Sequence, residues 1–231
     1  MSSARPPVTG PVLRAPVGLS YAVVALLGLV VLVDLVWIYA AALMRGLMGD
    51  VAEGDLSAYG DEGLDRAQLL LNLNPGFSAV AFLVTAIVFI LWFHRARINA
   101  GVFGPDLQRR GPGWAVGSWF IPIANLWIPY GVAADVWDAS DRDLGTPGRR
   151  TSRAVLNAWW AAWLGSWAVD RIATGVDNHA EDAAEIHEAM GLLILSNAAD
   201  IAAAVLAILF VRKLTAMQHA KALQGRTVAT V

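Results

Sequence analysis

Two aspartates sit in the middle of long apolar runs, Asp34 in VVLVDLVWI and Asp200 in SNAADIAAA. An ionisable side chain at bilayer depth normally faces a bundle interior or water and pairs with another polar group. If the two carboxyls face each other, like charges at close range cannot both be ionised cheaply. A carboxyl that takes up and releases a proton is what a proton-coupled carrier needs. In the plainer reading each aspartate is neutral, or hydrogen-bonded to Asn197, Asn157 or a backbone carbonyl, and only fixes helix packing. Interhelical bonds of that kind average below about 1 kcal/mol.

A second candidate is the apolar stretch from Trp114 to Trp137, which contains Pro122 and Pro129. Each proline removes a backbone donor and clashes with the preceding turn, which argues against a straight helix. Irregular backbone at membrane depth is tolerated where it lines a cavity or is buried in protein. Carbonyls freed around Phe120 to Asn125, with the Asn125 side chain, are therefore candidate cation ligands. The competing reading is an interfacial helix pair anchored by Trp114, Trp119, Trp127 and Trp137, since tryptophan prefers the headgroup level. Asp135 and Asp138 near its exit read as solvated charges.

All tryptophans except Trp37 and Trp92 fall between Trp114 and Trp167. Trp160, Trp163 and Trp167 recur at helical spacing and share a face with Asp170 or Arg171. The stripe reads as a packing face against the proline-broken stretch, ahead of a cation or aromatic-ligand pocket. His179 and His187 lie in an acidic loop, but a spacing of eight residues is no ligand signature, so no metal is expected. No cofactor is expected either: no histidine pair lies within a span to hold a haem, and the chain lacks cysteine. A zinc-protease helix, a nucleophile elbow, a P-loop and a Rossmann fingerprint are all missing, so the reading leans away from an enzyme.

These residues must be positioned by helices in a bilayer. The 231 residues are 57% hydrophobic and 16% charged, with a mean hydropathy of +0.52, outside the range of ordinary soluble domains. A first span is predicted from about Gly18 to Met44. A cleaved signal peptide is its rival, but the run far exceeds a signal h-region of roughly 7 to 15 residues. A second span runs from about Phe77 to Phe93, started by the turn pair Asn74-Pro75. The third covers about Ala154 to Asp170 and the fourth about Met190 to Val211.

Arg95, Arg97, Arg109 and Arg110 precede the broken stretch, and Arg142, Arg149, Arg150 and Arg153 follow it. Both ends therefore face the same side, and the segment re-enters or lies along the interface. Of the seventeen basic residues only Arg45, Arg66 and Arg171 then fall on the opposite side, where the loops are acidic. The positive-inside rule places both termini in the cytoplasm. Five full crossings would move one basic loop outside. The basic face is explained by topology and anionic lipid, with no nucleic acid required.

The run WFHRARINA, then GPGWAVGSWFIPIANLWIPYGVAADVWDAS and the NAWW that begins at Asn157, resembles a bacterial membrane family, the domain of unknown function numbered 4328. The match covers roughly residues 70 to 215, and WFIPIANLWIPY is its most specific piece. The resemblance implies a multi-span membrane fold in actinobacteria and carries no activity, substrate or site residues.

The expected architecture is an all-α membrane protein with four transmembrane helices and a proline-broken re-entrant or interfacial segment between the second and third. It divides into a flexible cytoplasmic N-tail (1–17), one transmembrane domain (18–215) and a cytoplasmic C-tail (216–231), in a bacterial plasma membrane. Its partners are the lipid bilayer and, through small-residue pairs such as Ala198 and Ala202 or Ala199 and Ala203, a second copy or another membrane protein. The leading functional reading is an accessory, scaffold or interaction component. The alternative is a small transporter or channel in which Asp34 and Asp200 handle protons or cations and Pro122 and Asn125 belong to a gate.

Overall fold

A computed structural model describes residues 17–57, 62–141 and 151–228. Those residues form helices and turns, with no strand among them. The helices are α1 (Val17–Ala52), α2 (Glu62–Phe103), a single turn α3 (Trp114–Gly117), α4 (Ile128–Ser140), α5 (Ala154–Asp177) and α6 (Ala183–Val228). The N-tail call, Val17 aside, lies outside the described residues.

Three of these helices are long and apolar enough to cross a membrane: α1, α2 and the Ala183–Gln224 part of α6. The expected fourth, α5, has 24 residues but is not among them. Asn157, Ser166, Asp170, Arg171 and its amphipathic tryptophans dilute its apolar character. All four helices outrun the apolar segments read from sequence, because helical hydrogen bonding continues into the polar ends. The expected turn at Asn74-Pro75 is absent: α2 runs through Pro75, which deprives the Leu71 carbonyl of its usual donor without ending the helix. Likewise α6 continues through the expected C-tail as far as Val228.

The chain divides into two compact units. The first, here the helical unit, comprises Leu19–Phe89 and Ser152–Lys213. Ala41, Met44, Leu47 and Met48 of α1 form its core with Leu64 and Ala67 of α2 and Met190 of α6. The N–H of His187 Nδ1 donates to the Arg45 carbonyl at 2.8 Å, tying α6 to α1. Glycine is needed beside it, since a Cβ on Gly49 would lie 2.9 Å from that nitrogen. At the end of α1, Gly54 takes φ +99. Its N–H bonds the Val51 carbonyl and that of Asp55 bonds the Asp50 carbonyl, the two bonds of a Schellman cap. Of the small-residue pairs, Ala203 is buried with Ala204 and Ala207, whereas Ala198 and Ala202 are exposed.

Among the described residues, the second unit comprises 17–18, 90–141, 151 and 214–228. Trp92, Phe93, Ala96 and Ala100 of α2, Val132, Val136 and Trp137 of α4, and Leu214 of α6 are buried in it. The stretch from Trp114 is indeed broken: α3 gives way to turns, a 3-10 turn at Ala124–Leu126 and then α4. Pro129 starts α4 and does not break it, since the missing N–H of a first-turn proline has no partner to lose.

Candidate functional site

The two aspartates of the apolar runs both lie in the helical unit. Asp34 of α1 and Asp200 of α6 lie within electrostatic range of each other. Asp200 is also in hydrogen-bonding reach of Ser166 and in electrostatic range of Asp170, both on α5. Ser166 and Asp170 are four residues apart and therefore share one face of their helix. Residues of α1 and α5 thus lie within interaction range of Asp200 on α6.

Ser166 is buried, and its Oγ stands 3.2 Å from the Trp163 carbonyl. One hydroxyl proton cannot serve both the carboxylate and the carbonyl. A hydroxyl within reach of a carboxyl can donate to its ionised form or accept from its protonated form. Asp34 is less well provided: its Oδ2 is buried and has no hydrogen-bond partner among the described residues. A buried polar atom left in that condition costs roughly 1–3 kcal/mol. Trp37, one turn further along α1, anchors that face to α2 by donating from Nε1 to Ser78 Oγ at 3.1 Å.

Asn197 and Asn157, read as alternative partners of the aspartates, lie on α6 and α5. The Asn197 amide donates to the Leu193 carbonyl of its own helix at 2.7 Å, and Asn157 is exposed on α5. Ser166 carries no sequence signal beyond a hydroxyl inside an apolar segment, and Asp170 reads from sequence as a cheap interfacial charge.

The tryptophan stripe is only partly a packing face. Trp160 is buried and packs on Trp163 at 4.9 Å between centroids, while Trp167 is exposed beneath the Arg171 guanidinium. Trp159 stacks on Phe210 of α6 at 4.6 Å and 7° and also meets Phe89 of α2 at 5.6 Å.

Many buried polar groups of the second unit bond one another, although Gln108 Oε1 and Ser118 Oγ are buried without a hydrogen-bond partner among the described residues. Gln218, buried on α6, donates to the Ala96 carbonyl at 2.8 Å and to Ser140 Oγ at 3.2 Å and accepts from Asn99 at 3.3 Å. Trp92 Nε1 donates to Thr215 Oγ1 at 3.1 Å. The Lys221 ammonium donates to the Ala139 and Asp141 carbonyls at 2.8 and 2.7 Å, where a cation complements the C-terminal end of α4. Asp135, expected to be a solvated charge, is buried. It receives Arg109 through Nε at 2.9 Å and Nη2 at 2.8 Å, because the chain after α2 folds back and lays Arg109 on α4. Arg97 reaches the Arg110 carbonyl beside it.

In the proline-broken stretch, the carbonyls of Ile121, Pro122, Ile123 and Ala124 each accept a backbone turn bond. Asn125 is half-buried beside them. Of the four expected anchors, Trp119 packs edge-on against Phe93 at 6.4 Å and Trp137 is buried. Only Trp114 and Trp127 are exposed. His179 and His187 each turn a ring nitrogen to a backbone carbonyl, and no group of three or more potential metal ligands gathers among the described residues.

An all-α fold with three membrane-compatible helices and residues of α1 and α5 within interaction range of Asp200 on α6 defines a class of protein without specifying a reaction. Residues 57–216 match the family model described as Domain of unknown function (DUF4328), and the chain belongs to that family. No curated protein and no solved structure matches it.

Proposed function

We propose that the chain is a bacterial plasma-membrane protein in which the Asp34, Asp200 and Ser166 constellation moves protons. In this reading α5 is the fourth crossing. Its 24 residues extend about 36 Å at 1.5 Å per residue, enough for a hydrocarbon core of about 30 Å. Both termini and the arginine-rich flanks of the broken stretch face the cytoplasm.

The observation that carries the proposal is the encounter of Asp34 and Asp200 beside Ser166, with Asp34 Oδ2 left without a partner. A pure scaffold gains by satisfying its intramembrane acids or replacing them with apolar residues. A proton pathway requires acids that accept either charge state, which the Ser166 hydroxyl permits at Asp200.

The test is proton flux in vesicles reconstituted with the purified protein and loaded with a pH-sensitive dye, under an imposed gradient. Wild-type vesicles should acidify faster than protein-free ones. Asp34→Asn and Asp200→Asn should return to the protein-free rate, and Ser166→Ala should fall between. Equal rates for folded wild type and both asparagine variants would reject the proton reading in favour of an accessory role. Cysteine labelling of intact cells at positions 50, 106 and 182 checks the topology: 50 and 182 should react from outside and 106 should not.

A further inference from the structure

The chain between α3 and α4 carries a feature the proton reading does not use. Residues 111–134 contain no Asp, Glu, Lys or Arg, and their tip exposes apolar side chains. Phe120 is 72% exposed, Ile123 70% and Trp127 55%, with Ile121 and Leu126 beside them. The tip is shaped by a tight turn: the Ala124 N–H donates to the Pro122 carbonyl at 2.7 Å across Ile123, whose φ is 64° and ψ −50°. This is the γ-turn of positive φ, rare and strained, and here it is made by a β-branched residue, for which positive φ is a true outlier. Strain of this kind persists where surrounding structure or function maintains it. An exposed apolar tip on a strained turn gains nothing from water.

We propose that the tip from Phe120 to Trp127 is a wedge that enters the acyl region of a lipid leaflet. Three observations select lipid as the occupant. First, the backbone is nearly self-sufficient: the N–H groups of Trp119, Phe120, Ala124, Asn125, Leu126 and Trp127 all donate to nearby carbonyls, and Pro122 has none to satisfy. Hydrocarbon demands that condition and water does not. Second, exposed Trp114 and Trp127 bracket the tip, matching the preference of tryptophan for the headgroup level. Third, the same unit turns charged groups elsewhere, with Arg109 held on Asp135 and Lys221 on α4, which leaves the tip free of charge.

This inference rests on reading the chain as a membrane protein, and the experiment separates the two. The chain has no cysteine, so single nitroxide labels can be placed on Phe120→Cys, Ile123→Cys, Leu83→Cys of α2 and Asp106→Cys in the full-length protein. Accessibility to oxygen, which concentrates in hydrocarbon, is compared with accessibility to a water-soluble nickel chelate in reconstituted vesicles. Positions 120 and 123 should favour oxygen as position 83 does, while 106 favours nickel. Nickel-favoured labels at 120 and 123 beside an oxygen-favoured 83 would overturn the wedge and leave the membrane reading standing. A nickel-favoured label at 83 would overturn both. Protection of 120 and 123 from both reagents, with dipolar coupling between labels, would mean that a second copy covers the tip and would also reject the wedge.

Discussion

The two units differ in what their buried carboxyls face. In the unit containing α4, the Gln218 amide serves Ala96, Ser140 and Asn99, and Asp135 has a two-point arginine partner. In the helical unit, Asp34 and Asp200 face each other's charge, and one oxygen of Asp34 has no partner among the described residues. Satisfied buried networks specify a unique packing, and a deleted member exposes the rest to a full desolvation penalty. Acids left with a like charge for a neighbour contribute little to folding and are retained for another reason. The contrast predicts that stability and flux should respond to substitutions in different units.

The largest loss of stability should come from Trp137→Ala. It empties a fully buried site and removes the Nε1 bond to the Thr151 carbonyl, with a cost of about 3–5 kcal/mol, measured by denaturant unfolding in detergent. Gln218→Leu should cost about 2 kcal/mol, since Asn99, Ser140 and the Ala96 carbonyl lose a common partner. Ile123→Gly should raise stability by up to about 1 kcal/mol by releasing the positive φ, after the entropy cost of glycine is subtracted. A loss at that position would show that the side chain stabilises the turn by contacts the exposure does not suggest. The smallest change belongs to Asp34→Asn and Asp200→Asn, within about 0.5 kcal/mol of wild type, although these variants should lose proton flux. A destabilisation as large as that of Gln218→Leu would erase the contrast between the units and make the aspartates packing elements.

Much of the architecture was legible because apolarity adds up along the chain. The runs around Asp34, Val84 and Ala204 exceed what a soluble helix needs, and the prolines at 122 and 129 mark an interruption that the structure contains. The helix ends were less legible: α2 passes through Pro75, and α6 passes the predicted tail, because hydropathy reports a solvent and hydrogen bonding sets a length. Asp135 was misread because its partner, Arg109, lies on the chain that precedes the broken stretch and reaches α4 only after the fold closes.

Sequence alone determined that this is an all-helical chain with membrane-compatible helices, a proline-interrupted apolar segment, and two acids in the middle of apolar runs. Each of those properties is local and survives any rotation of the helices. Tertiary structure alone decided that Ser166 and Asp170 stand near Asp200, that Trp159 makes the close stack on Phe210, and that Ile123 bears the strain of the exposed turn. Partner choice depends on which face each helix presents, and a shift of one residue turns a side chain by about 100° around the axis.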